Sequence, residues 1–97
     1  MIDIQTLSGL DFKSHLDDDF SLQLGPETLD MTLIEVKDIG QGERAGGAFS
    51  TLWQGPQSPV LSQGTYEMRH SELGPLALFL VPVAQKDAGI QYEAIFT

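Results

Sequence analysis

From Thr65 to Phe96 the chain reads as three apolar-rich segments cut by turn residues, and this pattern constrains the fold more than any other feature. Thr65 to His70 alternates, with Tyr66, Met68 and His70 on one face; Gly74-Pro75 supplies a turn; Leu76 to Val83 is strongly apolar; and Tyr92 to Phe96 alternates again. Successive side chains of a strand point to opposite faces, so the texture is that of three consecutive antiparallel strands. The run Leu76-Ala77-Leu78-Phe79-Leu80-Val81 is apolar at odd and even positions alike. Such a strand is expected to be covered on both faces, by the opposite wall of a barrel, by the N-terminal helix or by a partner chain. On that expectation Phe79→Asp would place an unpaired charge in a packed core and unfold the domain.

The upstream half continues the strand texture. Phe20, Leu22 and Leu24 share a face, and Gly25-Pro26-Glu27 then supplies a hairpin turn. Between Leu29 and Val36 the apolar phase slips by one residue near Leu33, as a bulge or bend would require. Ala48 to Trp53 resumes the pattern with Phe49 and Trp53 on one face, after a glycine-rich connection from Gly40 to Gly47 that reads as a hairpin tip. Gly55-Pro56-Gln57-Ser58-Pro59 is a punctuated loop that separates two halves of the sheet, because proline lacks the N–H that strand pairing needs. The one helix candidate runs from Ser8 to Leu16, with Ser8 placed to cap it and Asp11 three positions on. So short a helix does not hold alone in water and is expected to pack on the sheet.

The expected architecture is a single small β domain over residues 1–97, mostly β, with about six antiparallel strands in a small, partly closed barrel or two-layer sandwich and one short N-terminal helix. Closure protects sheet edges, and the lack of alternating helices excludes a doubly wound α/β fold. A chain of 97 residues has the length of one domain.

Charge narrows the partners. Fourteen acidic residues against five basic ones leave a net charge of −9, which repels both a phosphate backbone and anionic lipid. Neither nucleic acid nor a membrane is expected as a partner. There is no apolar run of the ~18–20 residues that a spanning helix needs, and Met1-Ile2-Asp3-Ile4 lacks the basic flank of a signal peptide, so a cytoplasmic location is expected. The absence of cysteine removes disulfides, thiol nucleophiles and thiolate metal sites.

Three constellations invite a chemical reading, and each fails on spacing. Asp17-Asp18-Asp19, with Asp11 nearby, offers oxygen ligands, but adjacent side chains diverge and no D-x-D-x-D-G register follows, so a solvated acidic turn is expected and no metal. The glycines of Gly40 to Gly47 precede a strand rather than the helix N-terminus that a phosphate cradle needs. His70-Ser71-Glu72 holds a base, a hydroxyl and an acid in adjacent positions, whereas a triad must converge from separate places, and His15 belongs to another element. No catalytic residue, no cofactor and no enzyme activity are expected. What remains is contact with a ligand or partner, for which Trp53, Tyr66, His70 and Tyr92 are the candidates. Trp53, beside Gly55-Pro56, is the one expected to be exposed.

The stretches Gln63-Gly64-Thr65-Tyr66, His70, Leu73-Gly74, Leu76 to Val83 and Tyr92-Glu93-Ala94-Ile95-Phe96, together with Leu7 to Phe12 and Phe20, resemble a family of small bacterial domains of unknown function. The resemblance implies a compact β fold, no assigned enzyme, and association with phage-tail-collar-like proteins. The functional expectation is therefore a non-enzymatic interaction or accessory domain serving a bacterial phage-tail-like assembly, with a protein partner or a homo-oligomer as its context. The alternative is a small-molecule-binding β-barrel with an aromatic-lined groove.

Overall fold

A computed structural model of the chain describes residues 7–40 and 47–96. Among these residues it contains one short helix, α1 (Gly9–Lys13), and six strands: β1 (Asp19–Leu24), β2 (Glu27–Gly40), β3 (Ala48–Gln54), β4 (Gly64–His70), β5 (Gly74–Lys86) and β6 (Gly89–Phe96). All neighbouring strands are antiparallel and they close into a barrel in the order β1-β2-β3-β6-β5-β4. Closure is made by Ser21↔Arg69 and Leu22↔Met68 between β1 and β4. The sheet therefore has no open edge through most of its length.

Local sequence explains most of the elements. Leu24 pairs with Glu27 across a tight turn in which Gly25 adopts φ 62°, a left-handed value that glycine reaches without strain. The phase slip near Leu33 is a bulge: the β2–β3 register shifts between Leu33 and Glu35, leaving Ile34 as the extra residue. Ser8 caps α1 through a reciprocal box, its Oγ accepting from the Asp11 N–H at 3.3 Å while the Asp11 carboxylate accepts from the Ser8 N–H at 2.8 Å. The helix is shorter than the Ser8 to Leu16 span expected, because the chain tightens into turns after Lys13. The tip between Gly40 and Gly47, Arg44 included, lies largely outside the described residues, although the β2–β3 hairpin that it joins is formed.

The inward faces meet in one core. Phe20 and Leu22 of β1, Met31 and Leu33 of β2, Phe49 and Trp53 of β3, Met68 of β4, Leu76, Leu78 and Leu80 of β5, and Tyr92, Ala94 and Phe96 of β6 are buried together. Helix α1 contributes Phe12, fully buried, whose ring lies 5.8 Å from Phe49, 5.2 Å from Phe96 and edge-on to Trp53 at 6.5 Å. That burial is what holds a five-residue helix in place. Among the described residues no cavity is present.

Among the described residues of the chain, β5 is covered on one face only: Leu76, Leu78 and Leu80 fill the barrel, while Phe79 points outward and is 54% exposed, so of the three covers expected neither the opposite wall nor the helix lies over the outer face. An apolar sequence on both faces had suggested cover on both sides, yet a closed ring of strands shields only its inner face. The unfolding expected of Phe79→Asp falls with the missing cover.

Candidate functional site

The four candidate contact residues are used by the fold itself. Trp53, expected to be exposed, is fully buried, and its Nε1–H donates to the Thr51 Oγ1 at 2.8 Å. Thr51 in turn donates to the Ala94 carbonyl across the β3–β6 pair at 3.4 Å. The Tyr92 hydroxyl, also buried, accepts from the Leu61 N–H at 2.9 Å and so ties the Gly55 to Gln63 connection to β6. Half-buried Tyr66 donates its hydroxyl to the Ser62 carbonyl at 2.6 Å. A buried polar tip without a partner is costly, which is why these aromatic residues sit where a hydroxyl or a backbone group meets them. Trp53 and Tyr92 fill the interior rather than lining a groove.

The fourth candidate, His70, leads to a cluster that adjacency in sequence had concealed. Leu22 pairs with Met68, and two residues further along each inward face Phe20 meets His70, their rings 4.5 Å apart. The turn that follows α1 brings His15 to the same place, 4.4 Å from the His70 ring, although the two histidines belong to separate elements. Asp18 lies between them. Its backbone is held by β2, with the Asp17 N–H donating to the Leu33 carbonyl at 2.7 Å and the Leu33 N–H to the Asp18 carbonyl at 3.1 Å. Asp17 itself adopts φ 69°, a left-handed conformation that aspartate tolerates better than most residues.

Proton positions follow from the contacts. His70 Nδ1 accepts from the backbone N–H groups of Glu72 at 3.0 Å and Leu73 at 3.3 Å. The ring proton is therefore on Nε2, which donates to Asp18 Oδ2 at 2.9 Å. The same oxygen stands 3.0 Å from His15 Nδ1, which faces a carboxylate and so carries the proton of that ring. The hydrogen bonds from His70 and then from His15 hold the Asp18 carboxyl below its ordinary pKa, outweighing the opposing effect of lost solvation. The second nitrogen of His15 lies 3.8 Å from Glu72 Oε2.

Two imidazoles and a carboxylate with donor atoms within 4.8 Å of one another are the types that bind a zinc-like ion. The hydrogen bonds oppose that use. A neutral imidazole has one unprotonated nitrogen, and in His70 it is turned toward two backbone donors, so Nε2 has a proton where a metal would need a lone pair. For the same reason His70 cannot serve as a general base, and among the described residues no hydroxyl hydrogen-bonds either ring. Asp18 was read as part of a solvated acidic turn; it is half-exposed but acts as the acceptor that joins two histidines. Asp19 accepts from Thr32 Oγ1 at 2.7 Å and Asp11 belongs to the helix cap, so the four aspartates do not converge.

The outside of the barrel offers a different kind of site. Phe79 and Val83 of β5 and Ile95 of β6 are 54%, 49% and 57% exposed. Val81, partly buried, lies opposite Glu93 on the same outer face, and Ile95 follows two residues after Glu93. Single exposed apolar residues are ordinary, but large ones grouped on one sheet face mark a contact surface.

The fold is thus a closed, solidly packed six-stranded antiparallel barrel with a short helix packed into it and an apolar strip on its outer wall. The chain belongs to the family described as domain of unknown function DUF6916, whose model matches residues 7–96. No curated protein and no solved structure matches the chain significantly. Among the described residues no helix is long and apolar enough to cross a membrane.

Proposed function

We propose that the chain is a non-enzymatic interaction domain that binds a protein partner through the outer face of β5 and β6, as an accessory subunit of a larger assembly of the phage-tail-like kind. The observation that carries this reading is the strip of Phe79, Val83 and Ile95, the part of the apolar β5 and β6 pattern that the chain leaves uncovered. Full burial of such side chains is worth about 1.5–3 kcal/mol each, of which roughly half remains to be gained on these half-exposed residues, enough for three of them together to anchor a contact. The partner is a protein with an apolar contact surface flanked by lysine or arginine. Glu67 and Glu93 border the strip, paired with Ala77 and Val81, and a chain of net charge −9 attracts a cationic surface and repels a second copy of itself.

The reading is tested by placing a photo-crosslinking amino acid at position 79, and at Asp30 on another exposed strand as control, in cells of the native host. A defined protein with a basic contact surface is expected to be captured from position 79 and not from position 30, and Ile95→Ser with Glu93→Lys should abolish the capture. Equal capture at both positions, capture of nothing, or crosslinking of two copies of the chain would each overturn it.

A further inference from the structure

We propose that His15, Asp18 and His70 form a proton-operated latch, which fastens the α1–β1 connection to the β4–β5 turn and releases that turn when His70 takes up a second proton. The proposal goes beyond the interaction reading and rests on a different part of the molecule.

The latch is built from both sides. Asp18 Oδ2 receives protons from His70 Nε2 at 2.9 Å and His15 Nδ1 at 3.0 Å, so one carboxylate oxygen joins residues 55 positions apart in the chain (70 − 15). On its far side the His70 ring accepts the N–H groups of Glu72 and Leu73 and thereby shapes the turn between β4 and β5. The ring is buried, with the His15 ring 4.4 Å and the Phe20 ring 4.5 Å from it.

A second proton on His70 has one place to go. Nδ1 would then be a donor facing two donors at 3.0 and 3.3 Å, and both turn hydrogen bonds are lost together. His15 responds in the opposite sense. Its second proton would sit on Nε2, 3.8 Å from Glu72 Oε2, giving an imidazolium with a carboxylate at each nitrogen. The charged and titratable groups that face the cluster are His15 and Asp18 from the α1–β1 connection, with Asp17 and Asp19 beside Asp18, and His70 and Glu72 from β4 and its turn; β2 faces it with Leu33 backbone, and β1 with Phe20. Asp18 has its carboxyl held below the ordinary range, so it stays ionised while the imidazoles titrate. A proton on His15 tightens the latch, and a proton on His70 opens it.

The test uses the intact protein labelled with nitrogen-15. At about pH 8 the His70 ring should show the Nε2–H tautomer, with the Glu72 and Leu73 amides protected from exchange. As the pH is lowered, conversion of the His70 ring to imidazolium should be accompanied by a loss of protection of roughly tenfold or more at those two amides, while Leu22, Trp53 and Leu78 stay protected. His70→Asn, whose Oδ1 can take the place of Nδ1 as acceptor and does not titrate, should keep both amides protected across the same range. An Nδ1–H tautomer at about pH 8, or amides that stay protected after His70 is charged, would overturn the latch. So would a shift of the His70 Nε2 resonance on adding zinc, since it would mean that the lone pair is on the other nitrogen. If His70→Asn did not fold, the wild-type titration would decide alone.

Discussion

Two neighbouring positions on β5 provide a sharp test of how the barrel is built. Phe79→Asp and Leu78→Asp introduce the same charge one residue apart, on opposite faces of one strand. Phe79 is already 54% exposed, so of the ~1.5–3 kcal/mol that complete burial of its ring would be worth, about half is at stake. Adding up to about 1 kcal/mol for the poor strand preference of aspartate brings the cost of Phe79→Asp to about 2 kcal/mol. A small domain stable by about 5–15 kcal/mol survives that. Leu78 is buried inside the barrel. Its replacement forfeits the full transfer term and leaves a carboxylate without a partner, at several kcal/mol more, so the total approaches the stability of the whole domain. Urea denaturation followed by tryptophan fluorescence reads the difference, because Trp53 lies in the core. With a slope near 1 kcal/mol per molar, Phe79→Asp should unfold cooperatively with its midpoint lowered by about 2 M, and Leu78→Asp should lack a native baseline. Unfolding of the Phe79 variant, or a native-like Leu78 variant, would refute the assignment of faces on β5 and with it the outer contact strip.

Three further perturbations probe separate parts of the structure. Thr51→Val removes the acceptor of the buried Trp53 Nε1–H and should cost about 1–3 kcal/mol in the same denaturation assay, with a changed near-ultraviolet tryptophan spectrum. Asp18→Asn tests pH linkage: the carboxyl is lowered by folding, so its stabilisation is present above the unfolded value of about 3.9 and lost as pH falls through the lower folded value. The wild type should therefore lose stability relative to Asp18→Asn below about pH 4, and parallel acid limbs in thermal melts would contradict the cause assigned. Gly89 sits at φ 137°, and a Cβ there would run into the Gly55 carbonyl and the Pro56–Gln57 backbone, so Gly89→Ala should cost about 1–3 kcal/mol or more, measured as a lowered denaturation midpoint.

The parts of this fold that were legible in the sequence are those set by near neighbours. Alternation marked the strands from Phe20 onward, Gly25-Pro26-Glu27 marked a turn, and the slipped phase near Leu33 marked a bulge or bend that falls at Ile34. The aromatic candidates were legible as residues but not as a site, because exposure of Trp53 depends on whether the ring of strands closes over it. The histidine cluster gave no local signal at all. Asp18 was visible only within a run of three aspartates, and nothing within a few residues of His15 or His70 announces the other. A parity argument along β1 and β4 could have placed Phe20 beside His70, but only once those strands were known to pair.

What the sequence by itself determined is therefore the presence of the strands, their antiparallel succession and the helix cap, each of which follows from backbone preferences and side-chain alternation over a few residues, while β2, β5 and β6 run several residues beyond the apolar pattern. What the tertiary structure decided is the β1–β4 closure, the outward face of Phe79, and the meeting of His15, Asp18 and His70. Leu76 to Val81 is apolar on both sides, so no local energy distinguishes inside from outside there. The choice falls to the register in which β4 meets β1, and that is a property of the closed ring as a whole.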